Sequence, residues 1–147
     1  MPAEQSVTIL LVEDDPGHAR LIERNLRRAH ITNAIATLGD GQQAIDYLFK
    51  EHTYAGGTHG LPLLLLLDLN LPGLDGTQVL ARLKADARTR HIPVIILTTT
   101  EEPYEIQRCY ELGCNIYLTK PVEYAQFAEA IRTLGLFLSI MKIPVGK

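Results

Sequence analysis

Short apolar runs alternate along the chain with stretches in which apolar residues recur every third or fourth position. Val7–Val12 is a run of six rich in β-branched residues and predicts a buried strand. Asn33–Thr37, Pro93–Thr98 and Asn115–Thr119 predict three more, and Leu63–Leu69, apolar with one acid inside, suits a strand covered on both faces. Between them, Ala19, Ile22, Leu26 and Ala29 predict a helix to about His30, with Asp15 as its cap and Pro16 at its first position. Ala44, Ile45, Leu48 and Phe49 line a second helix, opened by Asp40 and Gly41 with Gln43 at capping-box distance. Glu51–Gly60 is a loop with Gly56, Gly57 and Gly60. Asp75 and Gln78 cap a third helix bearing Val79, Leu80 and Leu83. Ile106, Cys109, Tyr110 and Gly113 mark a fourth and its end, and Phe127, Ile131, Leu134 and Leu138 a fifth.

Strict alternation of five strands with five helices predicts an α/β fold: a doubly wound parallel sheet, because right-handed crossovers place helices on both faces. Ligand sites in such sheets lie at the carboxyl ends of the strands. Those ends carry Glu13, Asp14 and Asp15 after strand one, Asp68 and Asn70 after strand three, Thr98, Thr99 and Thr100 at strand four, and Lys120 before Pro121 after strand five. Singly, most have an ordinary use: acids cap turns, threonine suits strands, and lysine snorkels at surfaces. Asp68 does not, because an acid directly after five leucines is costly to bury unless it is paired or metal-bound.

Taken together, the set has a chemistry. Clustered carboxylates repel and call for a hard cation with oxygen ligands, for which Mg²⁺ fits best. Asp68 would be a nucleophile toward phosphorus, giving an aspartyl phosphate. Lys120 would pair with a phosphoryl oxygen as a point charge. The Thr98 hydroxyl, and backbone N–H groups at Leu69 and Thr99, would serve the others, so that catalysis is mostly positioning and charge neutralisation.

Composition narrows the class. The 147 residues suit one domain with a real core, and 46% hydrophobic with 21% charged excludes disorder as the main state. A net charge of −3 makes nucleic acid a poor partner. Cys109 and Cys114 make neither a disulfide framework nor a CxxC zinc pair, and read as free thiols of a reducing cytoplasm. Met1–Ser6 is polar, and Leu61–Leu71 is too short to span a bilayer, so no membrane association is expected.

The run Leu10 to Asp15, the segment Leu66 to Gly76 around Asp68, Pro93 to Thr98, and Tyr117 to Pro121 resemble, in order and spacing, the receiver domains of two-component response regulators. The resemblance covers about residues 7–138 and implies the flavodoxin-like (βα)5 fold with strand order 2-1-3-4-5. One receiver domain would then fill 1–147, with residues 139–147 a tail. It implies that Asp68 accepts phosphate from a histidine kinase. Asp14, Asp68 and the Asn70 backbone carbonyl would ligate Mg²⁺, with Glu13 acting through a metal-bound water and Asp15 left as helix cap. It also implies a cis bond between Lys120 and Pro121, and a switch in which the Thr98 hydroxyl moves to the phosphate and the Tyr117 ring turns inward. The interval from Asp14 to Asp68 is longer than usual, by the Glu51–Leu61 loop, and Glu101–Pro103 departs from the common wording.

Leu97 to Thr100, the stretch Cys109 to Lys120 and a tail past the last helix are most similar to the stand-alone regulators paired with bacterial and cyanobacterial phytochrome histidine kinases. That similarity implies a light-linked signal and a homodimer with no DNA-binding domain. Six of nine aromatics follow residue 100, and Phe137, Ile140 and Met141 lie off the sheet-facing stripe of the last helix. They are the candidate dimer contacts. The kinase is expected near helix one, with His18 a bystander there. Three rivals are weaker. A haloacid dehalogenase-type phosphatase wants an acid where Asn70 stands. A nucleotide or flavin module wants a phosphate loop where the acids stand. A pseudo-receiver scaffold would not need the full set of acids, threonine and lysine.

Overall fold

The computed structural model describes residues 9–51, Pro62 and residues 64–134. Five parallel strands, β1 (Ile9–Val12), β2 (Ile35–Leu38), β3 (Leu64–Leu67), β4 (Val94–Thr98) and β5 (Ile116–Thr119), form one sheet in the order β2-β1-β3-β4-β5. The helices are α1 (Pro16–Arg28), α2 (Gly41–Ile45, continued by a π-helical turn over Asp46–Glu51), α3 (Gly76–Ala85), α4 (Pro103–Leu112) and α5 (Tyr124–Thr133).

The period of two along a strand explains why the central strands are apolar throughout. Leu10, Val12, Leu65, Leu67, Val94 and Ile96 pack with Ala44, Leu48, Val79, Leu80, Leu83 and Cys109 of α2, its π-helical turn, α3 and α4. Their neighbours Ile9, Leu11, Leu64, Leu66, Ile95 and Leu97 pack with Ala19, Ile22, Leu26, Phe127 and Ile131 of α1 and α5. Each face needs its own hydrophobic set, so alternation disappears. All four leucines of β3 are fully buried, and each contributes about 1.5–3 kcal/mol by leaving water.

The capping residues act largely as their spacing predicts. The Asp15 carboxylate accepts from the Gly17 and His18 amides at 2.8 and 3.1 Å, with Pro16 at the first position of α1. Asp75 and Gln78 form a reciprocal box at α3. At α2 the box is offset. Asp40 accepts from the Gln43 amide, but the Gln43 side chain reaches the Gly39 amide rather than that of Asp40. Gly41 is required by space, since a Cβ there would meet the Leu74 carbonyl oxygen at 2.0 Å.

Several boundaries differ from expectation. Asn33 lies outside β2, because its carbonyl accepts from the Arg27 guanidinium, and the strand runs on to Leu38 instead. Asn115 precedes β5, its side-chain carbonyl accepting from the Val94 amide. Asp68 lies beyond β3, its amide making a last bond to the Val12 carbonyl. Helix α1 ends at Arg28, and the predicted α2 face past Ile45 is carried by the π-helical turn. Val7, the Gly-bearing loop, Leu138 and the candidate dimer residues Phe137, Ile140 and Met141 lie outside the described residues.

Candidate functional site

The parallel sheet delivers five distant side chains to one edge. Glu13 and Asp14 follow β1, Asp68 follows β3, Thr98 is the last residue of β4 and Lys120 follows β5. Glu13, Asp14 and Asp68 each offer a carboxylate oxygen, all within 4.8 Å of one another. Glu13 and Asp68 are buried and Asp14 is exposed. Burial pushes the Glu13 carboxyl above the usual carboxylate range, and its hydrogen bond with Lys120 offsets this only in part. Three hard oxygen donors, two of them withdrawn from water, suit a divalent cation of the Mg²⁺ type.

Lys120 answers the same negative charge from the opposite side. Its ammonium donates to Glu13 Oε1 and to Asp68 Oδ2, the latter at 3.2 Å. Only 8% of its side chain is exposed, so the contact is weakly screened. The bond from Lys120 to Pro121 is cis, as the resemblance implied. Asp68 is held at its second oxygen as well, where Oδ1 accepts from the Asn70 amide at 3.2 Å. The fully buried Thr98 hydroxyl accepts from the Asn70 side-chain amide at 3.3 Å. Leu69 follows Asp68, and Thr99 comes immediately after β4, beside these groups.

The loop after β3 is shaped by Gly76, a position with no chemical signature of its own in the sequence. A Cβ on Gly76 would lie 2.2 Å from the Asp68 carbonyl oxygen and 2.6 Å from Leu69 Cα. The Gly76 amide donates to the Leu69 carbonyl at 3.0 Å. Only glycine lets α3 start this close to the acid.

Tyr117 is half-buried on β5, and its hydroxyl donates to the Thr100 carbonyl at 2.8 Å. Burial pushes this phenol up to about 12. Its amide, on the open edge of the sheet, donates to the Tyr110 hydroxyl at 3.1 Å.

His18 has partners that its sequence position does not announce: its Nδ1 lies 3.0 Å from Lys120 Nζ and 3.8 Å from Glu13 Oε2. The signal available in the sequence was its place one turn into α1, but its partner is 102 residues away. Asn25 was also missed. Buried on α1, it donates to the Val122 carbonyl at 2.8 Å and ties the segment after Lys120 to that helix. Between them, His18, Leu21, Ile22, Thr99, Lys120, Pro121 and Val122 line a cavity of about 200 Å³ beside the acids. Among the described residues, no helix is long and apolar enough to cross a membrane.

This arrangement can hold a cation and offer a fixed carboxylate to an electrophile, with a cation and a hydroxyl beside it. The response regulator receiver domain family model matches residues 9–132. The Probable methanogenesis regulatory protein FilR2 of Methanothrix harundinacea is 40% identical over 134 residues, 91% of this chain and 84% of that protein. Response regulator Rcp1 of Synechocystis sp. is 40% identical over 112 residues, 76% of this chain and 75% of Rcp1. The solved structure of the bacteriophytochrome response regulator AtBRR matches with a TM-score of 0.80 at 38% identity, covering 98% of this chain and all of that one. With the strand order, the strand-end acids and these matches in agreement, the chain belongs to the response regulator receiver domain family.

Proposed function

We propose that this chain is a stand-alone response regulator that takes a phosphoryl group from a histidine kinase onto Asp68 and relays a signal from a phytochrome. One observation carries the reading: a nearly buried carboxylate at the end of β3, gripped by Lys120, beside two more acids and a buried threonine hydroxyl. Relatives support the chemistry. Rcp1 has a Mn²⁺-bound form, the receiver domain of sensor histidine kinase PA1611 carries magnesium in its active-site cleft, and the cyanobacterial phytochrome response regulator RcpA has a phosphorylated form. The likeness to AtBRR and RtBRR supports the phytochrome link.

In the proposed reaction an Asp68 oxygen forms a P–O bond while the P–N bond of the donor phosphohistidine breaks. The bonding pair passes to the imidazole nitrogen, which takes a proton from solvent. Water attack on phosphorus later returns the carboxylate and inorganic phosphate. Asp14, Asp68 and the Asn70 carbonyl would hold Mg²⁺ directly, with Glu13 acting through water. Mg²⁺, when bound, neutralises the clustered acids and the phosphoryl charge. Lys120 supplies a fixed positive charge, and Thr98 with the Leu69 and Thr99 amides supplies hydrogen bonds to the phosphoryl oxygens. The family's switch would run through Thr98, whose hydroxyl exchanges Asn70 for phosphate, and through Tyr117. The protein would work in the cytoplasm as a homodimer through α5 and the tail with Phe137, Ile140 and Met141. The trough between β5 and α5, lined by Ile116, Leu118, Ala125 and Ala130 with Gln126, Glu129 and Thr133 among them, supports that face.

The test is incubation with Mg²⁺ and acetyl phosphate, followed by intact-mass measurement. The expected result is a single phosphate adduct that Asp68→Asn abolishes. Multiple turnover on a phosphate monoester would instead mark a phosphatase. No adduct from this donor or from a phytochrome kinase would mark a scaffold. A monomer at micromolar concentration by light scattering would remove the homodimer.

A further inference from the structure

We propose that His18 is a positioning residue for phosphoryl acceptance, its imidazole holding the Lys120 ammonium in place over Asp68. The proposal rests on the reading that Asp68 is the phosphoacceptor. A lysine ammonium has three N–H donors and no acceptor. Among the described residues the three partners of Lys120 are Glu13 Oε1, Asp68 Oδ2 at 3.2 Å and His18 Nδ1 at 3.0 Å. Because Nδ1 faces a group that can only donate, it is the unprotonated nitrogen and Nε2 carries the hydrogen. Nε2 in turn lies 3.9 Å from Asp15 Oδ2, the side chain that caps α1.

When a phosphoryl group arrives on Asp68, Lys120 exchanges its Asp68 hydrogen bond for one to a phosphoryl oxygen. The other two contacts remain as tethers. Glu13 is shared with the acid cluster, whereas His18 is not part of it. His18 is also neutral in this tautomer, so it fixes the ammonium without cancelling its charge. A further carboxylate at that point would weaken the attraction to phosphate. The helix that carries His18 is registered against the Lys120 segment by the hydrogen bond from Asn25 to the Val122 carbonyl. The imidazole is 46% exposed, and an exposed hydrogen bond of this kind adds little to folding, so its replacement leaves a folded chain.

The experiment measures phosphorylation rates of the full chain with Mg²⁺ over a series of acetyl phosphate concentrations. His18→Ala is expected to lower the maximal rate about tenfold with the donor concentration at half-maximum unchanged. His18→Asn, whose side-chain oxygen falls where Nδ1 stands, restores most of the rate. His18→Gln, which reaches too far, does not. In a Lys120→Ala background, His18→Ala has no further effect. A parent rate in His18→Ala, or an equal loss with Lys120 absent, overturns the role of His18 alone. A parent chain with no adduct, or one still labelled in Asp68→Asn, overturns the phosphoacceptor reading and this role with it. Imidazole nitrogen NMR gives a readout independent of rate: the unprotonated Nδ1 signal shifts in Lys120→Ala, and its staying put counts against the contact.

Discussion

Strands β1, β3 and β4 bury every side chain they carry, whereas all four residues of β5 are only half-buried. The acids emerge from the first region, where two helical layers fix the backbone on both sides. Tyr117 emerges from the second, where its amide meets the exposed ring of Tyr110 on α4. The packing of this one sheet runs from dense at the centre to thin at both edges, β2 included, so the acids sit at the ends of its most tightly held strands.

The contrast can be broken most directly by truncating a leucine in each region. Leu66→Ala should cost about 2–5 kcal/mol in urea unfolding, as for a fully enclosed leucine, while Leu118→Ala on β5 should cost less than half as much. Equal costs would erase the distinction. Gly76→Ala comes next. Its new methyl would press on the Asp68 backbone, costing about 1–3 kcal/mol and slowing phosphorylation more than any substitution within β5. A comparable loss, about 1–3 kcal/mol, is expected for Asn25→Ala, because the buried Val122 carbonyl loses its donor. Tyr117→Phe is the mildest, about 1 kcal/mol for one hydrogen bond, and it should remove a phenol titrating at about 12 from the tyrosinate absorbance curve.

The pH dependence has a definite sign. The Tyr117 phenol is raised from 10 to about 12 by burial, and the Cys109 and Cys114 thiols from 9 to about 11 and about 12. For each, the folded chain favours the neutral form. Their stabilising contribution is therefore complete below the unfolded pKa and is lost as pH rises through the folded one. The fold should weaken in the alkaline range from pH 9 to about 12, and both thiols should resist alkylation at neutral pH until the chain unfolds. Fast labelling of native Cys109 would show that the α4 face opens far more than its packing implies.

Much of this was legible from short-range signals. Apolar runs located the five strands, and Asp15, Asp40 and Asp75 announced helix starts because a cap acts within three residues. The strand-end rule then gathered Asp14, Asp68, Thr98 and Lys120 from across the chain. The contacts that were not legible join residues through folded geometry. His18 meets Lys120, and Asn25 meets Val122 across 97 residues. Neither has a periodicity or motif to betray it, since each depends on the angle at which α1 crosses the sheet. The start of β5 at Ile116 rather than Asn115 was equally hidden, because it depends on the Asn115 side chain accepting from the Val94 amide, 21 residues away.

The hydrogen bond from the Tyr117 amide to the Tyr110 phenol has a consequence for what this protein can avoid. An open β-strand edge is a template on which another chain can add a strand, the first step of β-rich aggregation. Here a side chain of the preceding helix occupies the central outward donor of a four-residue strand. Tyr110→Phe would leave the ring in place and strip that plug, so slow, concentration-dependent fibrillation is the behaviour to watch for in such a variant.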